Sequence, residues 1–370
     1  MDERKKLEEL RALLGEIDRD ILRSIERRAR IAQDIARLRT GTARVAPTAD
    51  GPHLLALEKA VTPPFPASAV RPIFTAIDSA CRMFEVTPRV MYVGPERDFG
   101  WIAAHHHFGD GAEYVRADTT PASAIEEVIR SRADYAVVPY ESLKEGVIYP
   151  TVQAIAGGDL KLIAEREITQ TLVLVGRQGE PADIERIFVS PQDHVACLSY
   201  LETSHTTIPV IDVRSPLAAM ERALEEPGSA AIVPRGCTGP DGLSVVRENI
   251  GDDGEVRIRY GVVSRLPAPR SGHDVTAMLF TIRERPGALH DLLSHFKERS
   301  CNLRRIQSFP VPGEGWEYIF YIEVGGHITD RPLVSALEGA KQEAKTLKIL
   351  GSFPLERPDA SHHGSAAGER

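Results

Sequence analysis

The N-terminal stretch constrains this chain first. Leu7, Leu10, Leu14, Ile17, Ile21, Ile25, Ile31, Ile35 and Leu38 recur mostly at three- and four-residue steps among charged residues. That period sets the apolar side chains on one stripe of a helix running from residue 2 to about 39. At 1.5 Å per residue the rod is about 55 Å long. A lone rod cannot bury such a stripe, so partner helices are required, and a second subunit is the expected source. The chain is read as a homo-oligomer. Thr40 to Gly51 is a polar break. Leu54 to Ala60 and Ser68 to Phe84 read as two shorter helices, split by Pro63-Pro64-Phe65-Pro66. Residues 1–86 are thus an all-α helical bundle.

From Arg89 the texture becomes alternating strands and helices. Val90 to Val93 reads as a strand, followed by Gly94-Pro95-Glu96-Arg97-Asp98-Phe99-Gly100 and a helix through His107. Tyr135 to Val138 is a short apolar, β-rich run, and Pro139 is expected to end it. Tyr140, Glu141, Ser142, Glu145 and Gly146 follow at once. Ligands of open α/β sheets bind past the carboxyl ends of strands, so Glu141 and Ser142 are site candidates. They serve equally well as caps of the next helix. Ile163 to Val175, Ile187 to Val189, Ala230 to Val233 and Ile258 to Val263 supply further strands. Residues 89–266 read as a two-lobed, doubly wound α/β domain. Residues 273–356 read as an α+β unit of order βαββα. The polar tail 357–370 has no apolar period and is expected to be disordered.

A net charge of −8 argues against nucleic acid or an anionic membrane as partner. Cys81, Cys197, Cys237 and Cys301 lie far apart, as reduced thiols of a cytoplasmic protein do. No apolar run is long enough to span a bilayer. No metal-ligand spacing and no phosphate-cradling loop is found, so neither metal nor cofactor is expected. His105-His106-His107 does not alter this, because consecutive helical residues diverge by some 100° and cannot converge on one ion.

Several motifs then acquire meaning together. The bundle, with Arg11, Arg28 and Arg39 along its first helix, resembles the all-helical chorismate mutase class, whose long helix supplies arginines to a dicarboxylate. Ala49-Asp50-Gly51-Pro52-His53 stands where that class carries an Arg-Glu pair. Met83 stands where a glutamine follows Ser79. These departures imply a bundle kept for dimerisation. The middle region resembles the prephenate dehydratase domain through Tyr92-Val93-Gly94-Pro95-Glu96, Val137-Val138-Pro139-Tyr140-Glu141-Ser142, Pro191-Gln192 with Cys197, and Asn249-Ile250. The last unit resembles an ACT domain of the phenylalanine-sensing kind, with Pro286-Gly287-Ala288-Leu289 and Trp316-Glu317-Tyr318. Gln307-Ser308-Phe309-Pro310 replaces the Glu-Ser-Arg-Pro of that kind.

The resemblance implies prephenate as substrate. The Thr-Arg-Phe of the dehydratases reads Ile258-Arg259-Tyr260 here, and their Gly-Thr-Phe-Ser loop reads Arg97-Asp98-Phe99-Gly100. Isoleucine cannot protonate a departing hydroxide. The expectation is therefore cofactor-independent, non-aromatising decarboxylation of prephenate to a dihydro-4-hydroxyphenylpyruvate, feeding a specialised amino-acid or antibiotic pathway. The alternatives are a prephenate dehydratase, bifunctional with chorismate mutase, in phenylalanine biosynthesis, and a non-catalytic ligand-sensing protein. Glu141 is the expected anchor or proton donor, with Asp98 and Tyr140 as relay. Arg259 is expected to grip a carboxylate, Ile258 to dry the pocket, and Ser142 and Gln192 to contact substrate. Strand alternation sends Ile258 and Arg259 to opposite faces unless a bulge intervenes.

Overall fold

A computed structural model describes residues 2–38, 52–82, 87–117, 120–143, 146–177, 184–204, 207–237, 242–252, 254–310 and 318–355. The first rod is a helix, α1 (Asp2–Leu38), joined by α2 (Pro52–Ala60) and α3 (Val70–Arg82). Within one chain the stripe stays uncovered. Leu7, Leu10, Leu14, Ile17, Ile21 and Ile31 are between 49% and 60% exposed.

The first lobe runs β1 (Arg89–Tyr92), α4 (Phe99–Phe108), β2 (Glu113–Arg116), α5 (Pro121–Ile129), β3 (Tyr135–Ser142), β4 (Gly146–Val147), α6 (Tyr149–Gly157) and into β5 (Lys161–Arg177). β1 pairs in parallel with β2 and β3, and its buried neighbours explain the unbroken apolar runs of both inner strands. The expectation that Pro139 ends its strand is corrected, since β3 continues to Ser142. Pro139 sits beside an irregularity in the ladder to the returning strand, where the absent N–H interrupts no regular rung.

The second lobe comprises β6 (Arg186–Val189), α7 (Pro191–Ala196), α8 (Leu198–Ser204), β7 (Val210–Asp212), α9 (Pro216–Glu225), β8 (Ser229–Pro234) and β9 (Leu243–Arg247). The chain then re-enters the first lobe as β10 (Glu255–Ser264), antiparallel to both β3 and β5. The sheet order is β2-β1-β3-β10-β5-β8-β6-β7. β5 is the member common to both lobes. It pairs with β10 from Lys161 to Thr171, then with β8 and β9 from Leu172 onward.

The C-terminal unit is β11 (Asp274–Ile282), α10 (Ala288–Glu298), β12 (Leu303–Pro310), β13 (Tyr318–Gly325), α11 (Arg331–Glu343) and β14 (Ala344–Pro354), in the sheet order β12-β13-β11-β14. The expected βαββα order gains a closing strand. α11 stops at Glu343, and Leu347 and Ile349 pack on the unit's own core while Leu350 and Phe353 enter a core shared with the first lobe. That shared core also holds Tyr140, Leu162, Val275 and Tyr321. β14 approaches β5 so closely that a Cβ on Gly351 would overlap the Leu162 backbone. The C-terminal unit is therefore packed directly on the strands of the first lobe. The tail 357–370 lies outside the described residues. No helix among the described residues is long and apolar enough to cross a membrane.

Candidate active site at the seam between the lobes

Two loop-to-helix turns meet where the lobes join. On the first lobe, the loop after β1 delivers Asp98 as the N-cap of α4. Its Oδ1 accepts a hydrogen bond from the Phe99 N–H at 2.7 Å. Gly100 lies so close beneath that a Cβ would overlap the Val93 carbonyl oxygen and touch the Tyr260 ring. This close approach is the physical reason for glycine there. On the second lobe, Ser190 caps α7. Its Oγ accepts from the Asp193 N–H at 3.3 Å and donates to Asp193 Oδ2 at 2.7 Å. The turn Arg235–Cys237 closes the seam, with the Cys237 thiol donating to the Arg97 carbonyl of the opposite lobe. Gln170, on the shared strand β5, accepts from the Gly236 N–H at 2.9 Å. Ile258 lies opposite Ile168 on β10 and packs against the cluster containing Phe99 and Tyr260.

The electrostatics of the seam favour held protons. Asp193 is 3% exposed. Burial drives its pKa up to about 7, the Ser190 hydroxyl pulls it back in part, and the Asp98 carboxylate adds to the rise. Burial also raises Asp98, against the stabilising Phe99 N–H. Burial pushes the Cys237 thiol well up, and both carboxylates push it further, so it stays a neutral donor. Cys197 is pushed up to about 12 by burial, then by Asp193 and Asp252, consistent with its reading as core.

The sequence candidates fall into two groups on opposite faces of the same strands. Asp98 and Ile258 lie on the seam side, and α7 brings the Gln192 backbone there. Glu141, Tyr140 and Arg259 lie under the C-terminal unit. Arg259 Nη1 is 3.5 Å from Glu141 and 3.9 Å from Glu165, and its Nε donates to Glu167 at 3.3 Å. Burial works against the Arg259 charge, but Glu165 and its neighbours outweigh it and hold the guanidinium ionised. Arg305, from β12, pairs with Glu141 and lies 3.7 Å from Glu323. Tyr140 is fully buried and donates to Glu165 at 2.7 Å. Ser142 pairs in register with Ile258 on one side and Gly146 on the other. Strand alternation thus holds at Ile258 and Arg259.

Sequence reasoning missed Asp193, Cys237 and Arg305. Only Asp193 carried a local signal, the Ser190-x-x-Asp193 spacing of a helix cap. Of the three histidines, His105 is sandwiched between Trp101 and Tyr114 at centroid distances of 3.7 and 3.8 Å, and His107 is buried. In the bundle, Arg11 is exposed and Arg28 half-buried; Arg39 and Met83 lie outside the described residues.

Comparison with known proteins places these features. The chorismate mutase type II profile matches residues 10–86, the prephenate dehydratase profile residues 90–268 and the ACT domain profile residues 276–342. A bifunctional chorismate mutase/prephenate dehydratase of Aquifex aeolicus is 31% identical over 95% of this chain and 98% of its own length. One from Pseudomonas aeruginosa is 32% identical over 96% and 99%. The crystal structure of an Arthrobacter aurescens prephenate dehydratase in complex with L-Phe covers 72% of this chain and 90% of its own, at 31% identity and a TM-score of 0.61.

These matches overturn the expectation of a non-aromatising decarboxylase for an antibiotic pathway. That expectation took the acid to come from the position of Ile258. The seam carries two carboxyl groups with raised pKa, so the missing hydroxyl at position 258 does not by itself argue for a decarboxylase. From its helical N-terminus to its ACT unit, the chain belongs to the bifunctional chorismate mutase/prephenate dehydratase family.

Proposed function

We propose that the chain converts prephenate to phenylpyruvate at the seam between the lobes, as the dehydratase half of a bifunctional enzyme of phenylalanine biosynthesis. The observation that carries this reading is Asp193, a buried carboxyl group at the seam whose pKa burial, aided by the charge of Asp98 on the other lobe, brings near neutrality. Expulsion of the ring hydroxyl needs an acid, and an acid with a pKa near the working pH is the effective kind. In the step, the Asp193 proton passes to the hydroxyl oxygen and the C–O bond breaks to release water. The electron pair of the bond to the ring carboxylate moves into the ring, and CO2 departs. The ring becomes aromatic, and Asp193 regains its proton from water. The Asp98 charge helps keep the proton on Asp193 by adding to the rise in its pKa. Ile258 and Ile168 supply an apolar floor against which a neutral CO2 is readily formed.

The bundle contributes the mutase half on this reading, and its uncovered α1 stripe is completed by a second copy of the chain. Incubating the full chain with prephenate, and separately with chorismate, tests both halves. Phenylpyruvate from each is the expected product. A ring that keeps its hydroxyl after CO2 loss contradicts the dehydratase reading, and unconsumed chorismate contradicts the mutase half.

A further inference from the structure

The face of β3, β10 and β5 turned away from the seam carries an ion-pair network that the dehydration step does not use. Four carboxylates, Glu141, Glu165, Glu167 and Glu323, surround two guanidinium groups, Arg259 and Arg305. The Glu165 and Glu323 side chains are 5% and 4% exposed, so the charges are shielded from water. Arg259 is the immediate neighbour of Ile258, and the ladder irregularity between Arg259 and Tyr260 lies at this point. Backbone geometry at the cleft floor is therefore set where the network holds on. Arg305 is the only one of its two cations that belongs to the C-terminal unit. A second contact from that unit reaches β4, which pairs with β3: Gln307 Oε1 accepts from the Val147 N–H at 2.9 Å. Gly146, at φ 73°, leaves room for it, since a Cβ there would lie 2.7 Å from that oxygen.

We propose that Arg305 is a positioning residue for the cleft: by pairing with Glu141 it fixes the carboxylates that hold Arg259 at the β10 irregularity, and so the C-terminal unit sets the placement of Ile258 and Tyr260 on the opposite face. The kinetic arm of this inference rests on the dehydratase reading. Two adjacent residues on one strand cannot move independently, so a guanidinium pulled from its carboxylates shifts the backbone that carries Ile258. Misplacement of a reaction floor acts on kcat more than on substrate affinity.

The test uses the full chain with R305M, R305K, E141Q, the R305M/E141Q double variant and K161M. Lys161 also bridges the two units, donating to the Ile349 carbonyl at 3.4 Å, but it stands outside the network. R305M is expected to lower kcat for prephenate about tenfold with KM within about twofold, and R305K to restore most of it. R305M/E141Q should be no worse than R305M, because both act along one route. In R305M but not K161M, the amides of β10 from Arg257 to Tyr260 should exchange with solvent faster. R305M behaving as K161M does in kcat or in exchange overturns the inference, as does a double variant showing the product of both single effects. If the wild-type chain leaves prephenate unchanged, the dehydratase reading alone falls, and the exchange comparison decides this one: faster β10 exchange in R305M only upholds it, and equal exchange overturns it.

Discussion

Carboxylates crowd both faces of β3, β10 and β5, and the two faces treat them oppositely. Under the C-terminal unit, Glu141, Glu165 and Glu167 surround Arg259, and their charges are matched by guanidinium groups. At the seam, Asp193 meets a serine hydroxyl and Asp98 a backbone N–H, and the Asp98 charge adds to the rise that burial gives Asp193. The same chemical group becomes a scaffold on one face and a proton store on the other. Its partners decide which, because burial opposes charge on both faces, and the carboxylates under the C-terminal unit are paired with guanidinium groups while Asp193 and Asp98 meet a hydroxyl and an N–H.

The comparison breaks most visibly if the seam is emptied of its acid. D193N keeps the shape but cannot protonate a leaving group, and kcat for prephenate should fall by about a thousandfold with KM little changed. Steady-state kinetics at neutral pH reads this directly. On the other face, R259M should strip the Arg259 guanidinium from Glu165 and Glu167, leave Arg305 on Glu141, and lower stability by about 3 kcal/mol, measured by urea unfolding. The faces also differ in their pH response. Asp193 has a folded pKa above its unfolded value, so the native state binds the extra proton between the two. Its stabilising contribution is complete below about pH 4 and is lost as the pH rises through about 7. D193N should flatten that decline in the melting temperature, whereas R259M should not. The smallest effect is expected at Ile258. I258T introduces the hydroxyl whose absence first suggested another reaction, yet with the proton already supplied by the seam it should change kcat less than about threefold and stability by about 1 kcal/mol. A large gain in phenylpyruvate formation would move the proton source back to β10.

Much of this architecture was legible in the residues. The α1 stripe, the alternation of strands and helices after Arg89 and the ordered motifs gave the three units and their sequence. β14 was not legible, because Lys345 to Leu350 alternates polar and apolar residues weakly and follows a helix without a break. The site was half legible. Asp98 and Ile258, singled out because they depart from a recognisable loop and strand, lie on the seam side. Glu141, Tyr140 and Arg259 were grouped with them because chain position says that a residue follows a strand, not which unit later covers it. Asp193 looked like an ordinary cap, and its proton affinity comes first from burial in the folded seam and then from the charge of Asp98 on the opposite lobe, neither of which a local pattern records. Arg305 sits more than 160 residues from its partner Glu141, a pairing that no local pattern records.

The proton store at the seam is tested most directly by the pH dependence of kcat/KM for prephenate in the wild-type chain and in D193N. An alkaline limb falling near pH 7 in the wild type and absent from D193N is the predicted result. Superimposable profiles of equal height would contradict it.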